Sequence, residues 1–435
     1  MNRRVIEYKE KYIICNDKCD IYLCDSPEGN EFPAEEVGES SLAGRIPDVG
    51  KPRKLKKLII LLSTACNMRC RYCYLSFGTH AGDEKLHNIK VEDVERTLDI
   101  LIEKYPDGIG FIQFFGGEPL IAFNEMREIY YNVCIFFDER NIPRPQFGVV
   151  TNGLRINDEV IDFFNQSRII VTVSVDGGRN VHDNVRKKIT DDSAFDDLSS
   201  VLGRYKDKTE FPKYFEMTLN HEHILAYREG EFRKWLDIIN GLGFKKGIIG
   251  VVEHSMDPTL DFVPEDIPVL EKMYREFVDY FFEKLDEDDT DMYDLDICRL
   301  ILSIIKKELS PYCCNAGVTQ LTLAANGVFY PCPKFATIDH SMGTASEGII
   351  RQDSIKDIIN KDEREMCGKC WMKNICKSYC YSLKYRGSEN HKLLTIRCIH
   401  LDNLMANVIR NVVERKEGGN LGNIVKKSQQ LLANY

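Results

Sequence analysis

Apolar residues follow two rhythms along this chain. From about residue 57, short continuous apolar runs alternate with segments whose apolar positions recur at helical spacing. The runs are "KLIILLS" (57–63), "GIGFIQFF" (108–115), "QFGVVTNG" (146–153), "RIIVTVSVDG" (168–177), "KYFEMTLN" (213–220) and "GIIGVVE" (247–253). Each predicts a strand buried on both faces. Between them, "VEDVERTLDILIEKY" (91–105) puts Val91, Val94, Leu98, Leu101 and Ile102 on one helical face. Residues 126–139, "NDEVIDFFNQ", "FDDLSSVLGRYK" and "FRKWLDIINGLG" also predict helices. Strands alternating with helices imply a parallel α/β fold, here a partial (β/α)6 barrel of TIM type over 57–255. The chemistry of such a fold sits at the C-terminal strand ends.

The flanks differ. Residues 1–56 read as a short β-rich lead-in, with a hairpin in "KYIICNDKCDIYLC" turning near Asn16-Asp17. A loop-like "DSPEGNEFPAEEVGESS" follows. Residues 256–311 read as a helical linker, 312–400 as a small cysteine-rich domain, and 401–435 as a helix and tail. In "LDNLMANVIRNVV", Leu401, Leu404, Val408 and Val412 share one face, which predicts a packing helix; the alternative is a partner-binding one.

Composition narrows the class. Hydrophobic residues make up 43% and charged ones 29%, as in soluble globular proteins. No apolar run approaches the ~18 residues of a membrane span. The charged start lacks the apolar core of a secretory signal. Net charge is −10 and no basic stripe stands out, which argues against a nucleic-acid partner. A cytoplasmic, membrane-free enzyme is the expectation. There, sixteen cysteines are better read as metal or cluster ligands than as disulfides. Cys15, Cys19 and Cys24 read as hairpin packing, with metal binding the alternative. Cys134 reads as a small buried hydrophobe.

The stretch "STACNMRCRYCYLSFG" follows the first strand and holds Cys66, Cys70 and Cys73. A structural zinc takes four protein ligands, whereas a catalytic metal keeps an open position. Three thiolates can hold three irons of a [4Fe–4S] cube and leave the fourth open; a zinc knuckle is the plain alternative. Cys66-x3-Cys70-x2-Cys73, followed by Tyr74, resembles the signature of radical S-adenosylmethionine (SAM) enzymes. That resemblance implies that SAM chelates the open iron. One electron then cleaves it to a 5′-deoxyadenosyl radical, which abstracts hydrogen from the substrate.

Other stretches are similar to the same family. "FFGGEP" looks like its GGE motif, implying SAM contacts from Gly116, Gly117 and Glu118; a strand-to-helix turn is the alternative. "SVDGGRNVHDNVR" resembles a stretch whose Ser and Arg contact SAM, which carries over to Ser174 and Arg186. Tyr72 and Asn152 join the expected cofactor contacts, with Asp176 and Thr218 as weaker candidates.

The C-terminal cysteines have their own order: Cys314-x12-Gly327-x4-Cys332, then Cys367-x2-Cys370-x5-Cys376-x3-Cys380, then Cys398. A zinc ribbon would explain part of it. The full order resembles the SPASM extension of radical SAM enzymes, which binds two auxiliary [4Fe–4S] clusters and so implies three clusters in all. The resemblance assigns Cys367, Cys370, Cys376 and Cys398 to the distal cluster, and Cys314, Cys332 and Cys380 to the nearer one. The remaining ligand of the nearer cluster is Cys298, Cys313 or an open iron, with Cys298 preferred.

SPASM enzymes mostly modify peptides. "GVFYPCPKFATIDHSMGT" is similar to a stretch of the maturases of ribosomally made peptides, which install thioether or carbon–carbon crosslinks. Anaerobic sulfatase-maturating enzymes, which form formylglycine, are the alternative. They carry a catalytic Asp where this chain has Pro333. A multi-cluster electron-transfer protein is the non-enzymatic alternative. The implied partners are a precursor peptide with its leader and an electron donor such as flavodoxin or ferredoxin. The 65 residues before Cys66 are too few for the complete leader-binding domain that begins many such maturases. No base is identified; Glu253, His254 and His340 are ionisable residues in suitable regions.

Overall fold

The computed structural model describes residues 3–16, 20–27, 52–76, 87–190, 192–252, 255, 257–287, 293–306, 314–337, 340–351, 370–372, 376, 380–382 and 391–433. Three antiparallel strands open the chain: β1 (Arg3–Tyr8), β2 (Lys11–Asn16) and β3 (Ile21–Cys24). The β2–β3 pair is the expected hairpin; its turn at 17–19, including Cys19, lies outside the described residues. Cys15 is buried in β2.

All six expected strands are present. They are β4 (Leu55–Ser63), then, past the short β5 (Met68–Cys70), β6 (Ile109–Gly116), β7 (Gln146–Thr151) and β8 (Ile170–Ser174). Beyond β9 (Arg186–Lys188) come β10 (Lys213–Leu219) and β11 (Lys246–Val251). The order β4-β6-β7-β8-β10-β11 is parallel throughout. Helices α1 (Val91–Lys104), α2 (Phe123–Glu139) and α3 (Asp158–Ser167) return the chain between the first strands. Each turns its apolar face to the sheet: α1 buries Val94, Leu98 and Leu101, and α3 is capped by the Asn157 side chain on the Val160 amide. After the short α4 (Arg179–Val185), α5 (Ala194–Tyr205), α6 (His221–Ala226) and α7 (Glu231–Gly241) complete the outer layer. Cys134 is buried in α2 beside Tyr130.

The sheet does not end at the barrel. Residues of β12 (Tyr293–Asp294) pair parallel to β11. On the opposite edge, β13 (Gln320–Leu323) runs parallel to β4, and β14 (Val328–Tyr330), β15 (Gly343–Thr344) and β16 (Gly348–Ile349) continue antiparallel from it. The cysteine-rich region, expected to be a separate unit from 312, thus begins as an extension of the barrel sheet.

The linker helices α8 (Ile267–Asp286) and α9 (Leu295–Lys306) are covered by α10 (His391–Glu417) and α11 (Leu421–Ala433). Leu404, Val408 and Val412 are buried and Leu401 partly so, which makes α10 the expected packing helix. The lead-in is tied to it: the Tyr8 hydroxyl donates to Glu417 at 2.7 Å, and Arg4 pairs with Asp402 at 2.9 Å. No helix of the described residues is long and apolar enough to cross a membrane.

Candidate active site

A cavity of about 780 Å³ opens at the C-terminal ends of the barrel strands. Cys66, Cys70 and Cys73 line it, together with Gly116, Gly117, Glu118, Asn152, Ser174, Arg186 and Tyr72. The structure therefore gathers these three cysteines and seven expected cofactor contacts at one cavity. Thr218 lines it as well, whereas Asp176 stands behind the wall with no exposure.

The cysteine loop is held by backbone pairing. Strand β5 pairs antiparallel with β9, so that Cys70 faces Arg186 in register. Arg71 extends the anchor, bonding Asp257 at 2.7 Å, Glu222 at 2.8 Å and Thr259 at 2.9 Å. On the other side, the amides of Gly117 and Glu118 donate to the carbonyls of Ser63 and Ala65, both at 2.8 Å. A β-carbon on Gly117 would meet the Ala65 carbonyl oxygen, so only glycine lets the loop lie this close. The glycines, expected to admit a ligand, admit the cysteine loop.

Glu118 is buried. Its carboxylate accepts from the Thr151 hydroxyl at 2.7 Å, the Leu120 amide at 3.0 Å and the Asn152 amide at 2.8 Å. Burial pushes its pKa up, and these hydrogen bonds oppose the shift. It caps the following turn, as the alternative reading of "GGEP" supposed, while still lining the cavity. Asn152 in turn donates to Asn67 at 2.8 Å, joining the β7 turn to the cysteine loop.

Burial pushes the Cys66 thiol up to about 12 and the Cys70 thiol up to about 11. Thiolates here therefore need a cation beside them, which is the chemistry of an iron site. Among the described residues, no three or more His, Cys, Asp and Glu side chains are placed to share one metal ion. A four-iron cube asks something different, since each cysteine binds its own iron. The donor set fits a cluster with an open corner.

The C-terminal cysteines fall into groups. Burial raises the Cys332 thiol first, with Cys380 and Cys314 as its charged neighbours. Cys314 and Cys332 pack around Ala316, Phe335 and Tyr381. Cys370 has Cys376 beside it, and Cys398 is exposed. Cys367 and Cys313 lie outside the described residues. Cys298 joins neither group. It is fully buried in α9, its thiol raised to about 12 by burial, and its charged neighbours are Asp294, Arg299 and Asp296. Cys298, expected as the further ligand of the nearer cluster, thus sits on the buried side of α9.

Two residues without an expected role stand out. Tyr74 lines the cavity, and the neighbours acting on its phenol include Cys73 from the first group and Cys332 and Cys380 from the C-terminal one. Glu216, also cavity-lining, has its pKa raised by burial and accepts no side-chain hydrogen bond from the described residues. The other cavity acids are committed to protein partners, Asp296 for example to Arg299 at 2.8 Å. Strand alternation along "KYFEMTLN" carried the signal: Glu216 is a lone acid between buried Phe215 and Met217. His340 packs at a tilt against Phe335, while Glu253 and His254 lie outside the described residues.

A partial parallel barrel with three thiols on the loop after its first strand defines a cluster-dependent barrel enzyme. Residues 60–207 match the family model of the Radical SAM superfamily. Those residues carry a radical SAM domain, and enzymes of that superfamily use SAM and a [4Fe–4S] cluster. It is 24% identical over 348 residues to a cysteine-type anaerobic sulfatase-maturating enzyme of Clostridium novyi (strain NT), covering 75% of this chain and 88% of that one. The fold is similar to that of native anSMEcpe with bound AdoMet, with TM-score 0.66 and 16% identity over 81% of this chain and 98% of that one. It is also similar to Streptococcus suis SuiB bound to precursor peptide SuiA, with TM-score 0.55 and 17% identity over 77% and 74% of the two chains.

Proposed function

We propose that this enzyme modifies a ribosomally made peptide, forming a thioether or carbon–carbon crosslink. It would work in the cytoplasm with a flavodoxin- or ferredoxin-like donor. The observation that carries the reading is Tyr74, which lines the cavity and has Cys73, Cys332 and Cys380 among the neighbours acting on its phenol. Of the C-terminal cysteines, Cys376 lines the same cavity as the first cluster loop, and about 780 Å³ is room for SAM and a peptide side chain.

Cys66, Cys70 and Cys73 would hold the first cluster. Cys314, Cys332 and Cys380 would serve the nearer auxiliary cluster, and Cys367, Cys370, Cys376 and Cys398 the distal one. With SAM bound, the first cluster supplies one-electron cleavage of SAM and hydrogen-atom abstraction. The chain's own residues do the rest. Glu118 fixes the β7 turn against the cysteine loop. Arg186 and Ser174 present polar groups to SAM. Ile248, Ile249, Leu300, Leu404 and Met405 give the cavity an apolar wall that excludes water. Glu216 offers an uncommitted carboxylate to a donor on the substrate.

Formylglycine formation is the second reading. The extent of similarity to the sulfatase-maturating relatives favours it; Pro333 in place of an acid disfavours it. Precursor peptide in the SuiB complex supports a peptide as substrate for either reaction.

The first test is iron and sulfide per chain after anaerobic reconstitution, with 5′-deoxyadenosine measured after reduction in the presence of SAM. Three clusters give about 12 irons, falling to about 8 in a triple Cys66/Cys70/Cys73→Ala variant. About 4 irons, or zinc in their place, would remove the two-cluster C-terminal domain and with it the main support for a maturase. Cysteine-bearing peptides then separate the two reactions by mass: a crosslink removes two hydrogens only, whereas formylglycine removes two hydrogens and also exchanges sulfur for oxygen.

A further inference from the structure

Among the described residues, nothing reaches the Glu216 carboxylate by hydrogen bond or ion pair. Strand β10 alternates: Phe215, Met217 and Leu219 are buried in the core, while Glu216 and Thr218 line the cavity. In register, Glu216 lies between Ser174 of β8 and Ile248 of β11, and both line the cavity too. The charged groups acting on it are Arg186 from β9, Asp176 beyond the end of β8 and Lys57 from β4, and it acts in turn on the Tyr74 phenol of the cysteine loop. Two of these are committed to each other: Arg186 Nη1 donates to the Tyr72 hydroxyl, which donates to Asp176 Oδ2. Burial pushes the Glu216 pKa up and Asp176 adds to the shift, while Arg186 and Lys57 oppose it. The other carboxylates and the imidazole of the cavity wall are occupied. Glu118 accepts three hydrogen bonds, Asp296 pairs with Arg299, and His400 shares its Nδ1 with the Tyr274 hydroxyl.

A buried carboxylate without hydrogen bonds costs stability, so its presence in a cavity wall points to use. We infer that Glu216 is the catalytic base of this cavity and takes from the peptide the proton that leaves as the new bond forms. The inference rests on the peptide-modification reading above. For a thioether, one S–H and one C–H bond break and an S–C bond forms. One hydrogen leaves as an atom and ends in 5′-deoxyadenosine. The other leaves as a proton to the Glu216 carboxylate, and the remaining electron goes to a one-electron acceptor, an oxidised iron–sulfur cluster. A thioaldehyde on the way to formylglycine has the same balance, with C=S in place of S–C. Two nearby cations let Glu216 start as a carboxylate, and burial lets it hold the proton once taken. Pro333 has no group that could do so. Ser174, one strand away, is an expected SAM contact, so the base stands beside the cofactor's expected place.

The experiment uses the reconstituted full chain, SAM and a synthetic library of cysteine-bearing peptides screened by mass. 5′-Deoxyadenosine and modified peptide are counted separately. In Glu216→Gln, modified peptide per 5′-deoxyadenosine should fall about a hundredfold or more, the scale of a lost general base, with SAM affinity retained. Glu216→Asp should recover part of the loss. Paired pH profiles give a second readout. Wild-type product should fall on the acid side as Glu216 is protonated. A protonated-carboxyl band in difference infrared spectra, missing from Glu216→Gln, should grow in over the same range. Lys57→Met removes a neighbouring cation and should move both to higher pH together. An unchanged product ratio in Glu216→Gln overturns the proposal. So does SAM affinity that falls in step with product, which would make Glu216 a cofactor contact. An acid limb that stays in place in Lys57→Met also overturns it. Should Glu216→Gln lose iron, Glu216→Asp and the paired profiles still decide. A wild type that cleaves SAM yet modifies no peptide of the library sinks the peptide-modification reading and this base with it. Equal product from the wild type and Glu216→Gln sinks the base alone.

Discussion

A β-carbon on Gly117 would stand 2.3 Å from the carbonyl oxygen of Ala65. That oxygen accepts the Glu118 amide, and Cys66 is the next residue. Gly117→Ala must therefore push the cysteine loop away from β6. The expected cost is about 1–3 kcal/mol, as for other overpacked sites. Iron should drop by about 4 per chain as the first cluster is lost. Iron analysis and a melting curve check both; a variant with full iron would show that the loop yields without losing its geometry.

Glu118 separates bracing from ligand binding. Glu118→Ala leaves the Thr151 hydroxyl and the amides of Leu120 and Asn152 without their acceptor. Unsatisfied buried donors cost about 1–3 kcal/mol each, so a loss of at least ~2 kcal/mol is expected, visible as a lower melting temperature without SAM. Glu118→Gln keeps one acceptor oxygen and should lose less. Weaker SAM binding with unchanged melting in both variants would make Glu118 a ligand contact alone.

The barrel was legible because its strands are near-continuous apolar runs set between amphipathic helices. The ribbon of Met68–Cys70 and Arg186–Lys188 was not. Three residues on each side are too few to carry a periodicity, and only the fold brings them together. The pairing of Gln320–Leu323 with Lys57–Ile60 was equally hidden, since parallel partners so distant in sequence leave no local mark. Cysteine spacing pointed to the first loop, because neighbouring ligands on a short loop have little freedom to part. At Cys298 spacing says nothing of which face of α9 a side chain takes. The Tyr72–Asp176–Arg186 set lay within quoted motifs, yet its mutual hydrogen bonds depend on β5 meeting β9.

Lys57 carries a pH signature. Burial lowers its pKa to about 8, with Glu216 nearby opposing the shift. Its ordinary value is about 10.4, so the folded protein disfavours the charged amine. The unfolded chain holds more protons between about pH 8 and 10.4, and this residue's contribution to stability rises with pH across that window. Below about pH 8 the cost is complete and flat, at most ~3 kcal/mol. Lys57→Met should stabilise the protein at pH 7 by about 1–2 kcal/mol and flatten this slope, as read from melting temperatures at stepped pH. A variant that melts lower at pH 7 would mean that Lys57 is paired favourably with Glu216.

Cys298 offers the sharpest contrast between a ligand and a core residue. It is fully buried in α9, beside the Ser428 hydroxyl of α11. As a packing residue, Cys298→Ala leaves a small cavity costing about 1–2 kcal/mol, below the range for larger apolar truncations. It should keep all of its iron, about 12 atoms per chain. Cys314→Ala, by contrast, removes a thiol packed against the Cys332 group and should lower iron and sulfide together. If Cys298→Ala loses iron to the same extent, the nearer cluster draws on α9 after all, and that helix must turn when the cluster assembles. If it keeps its iron and melts lower, the open place in the nearer set falls to Cys313 or to the substrate. Iron counts on Cys313→Ala then decide between those two: a fall names the protein thiol, and no change leaves an iron corner for a peptide thiolate.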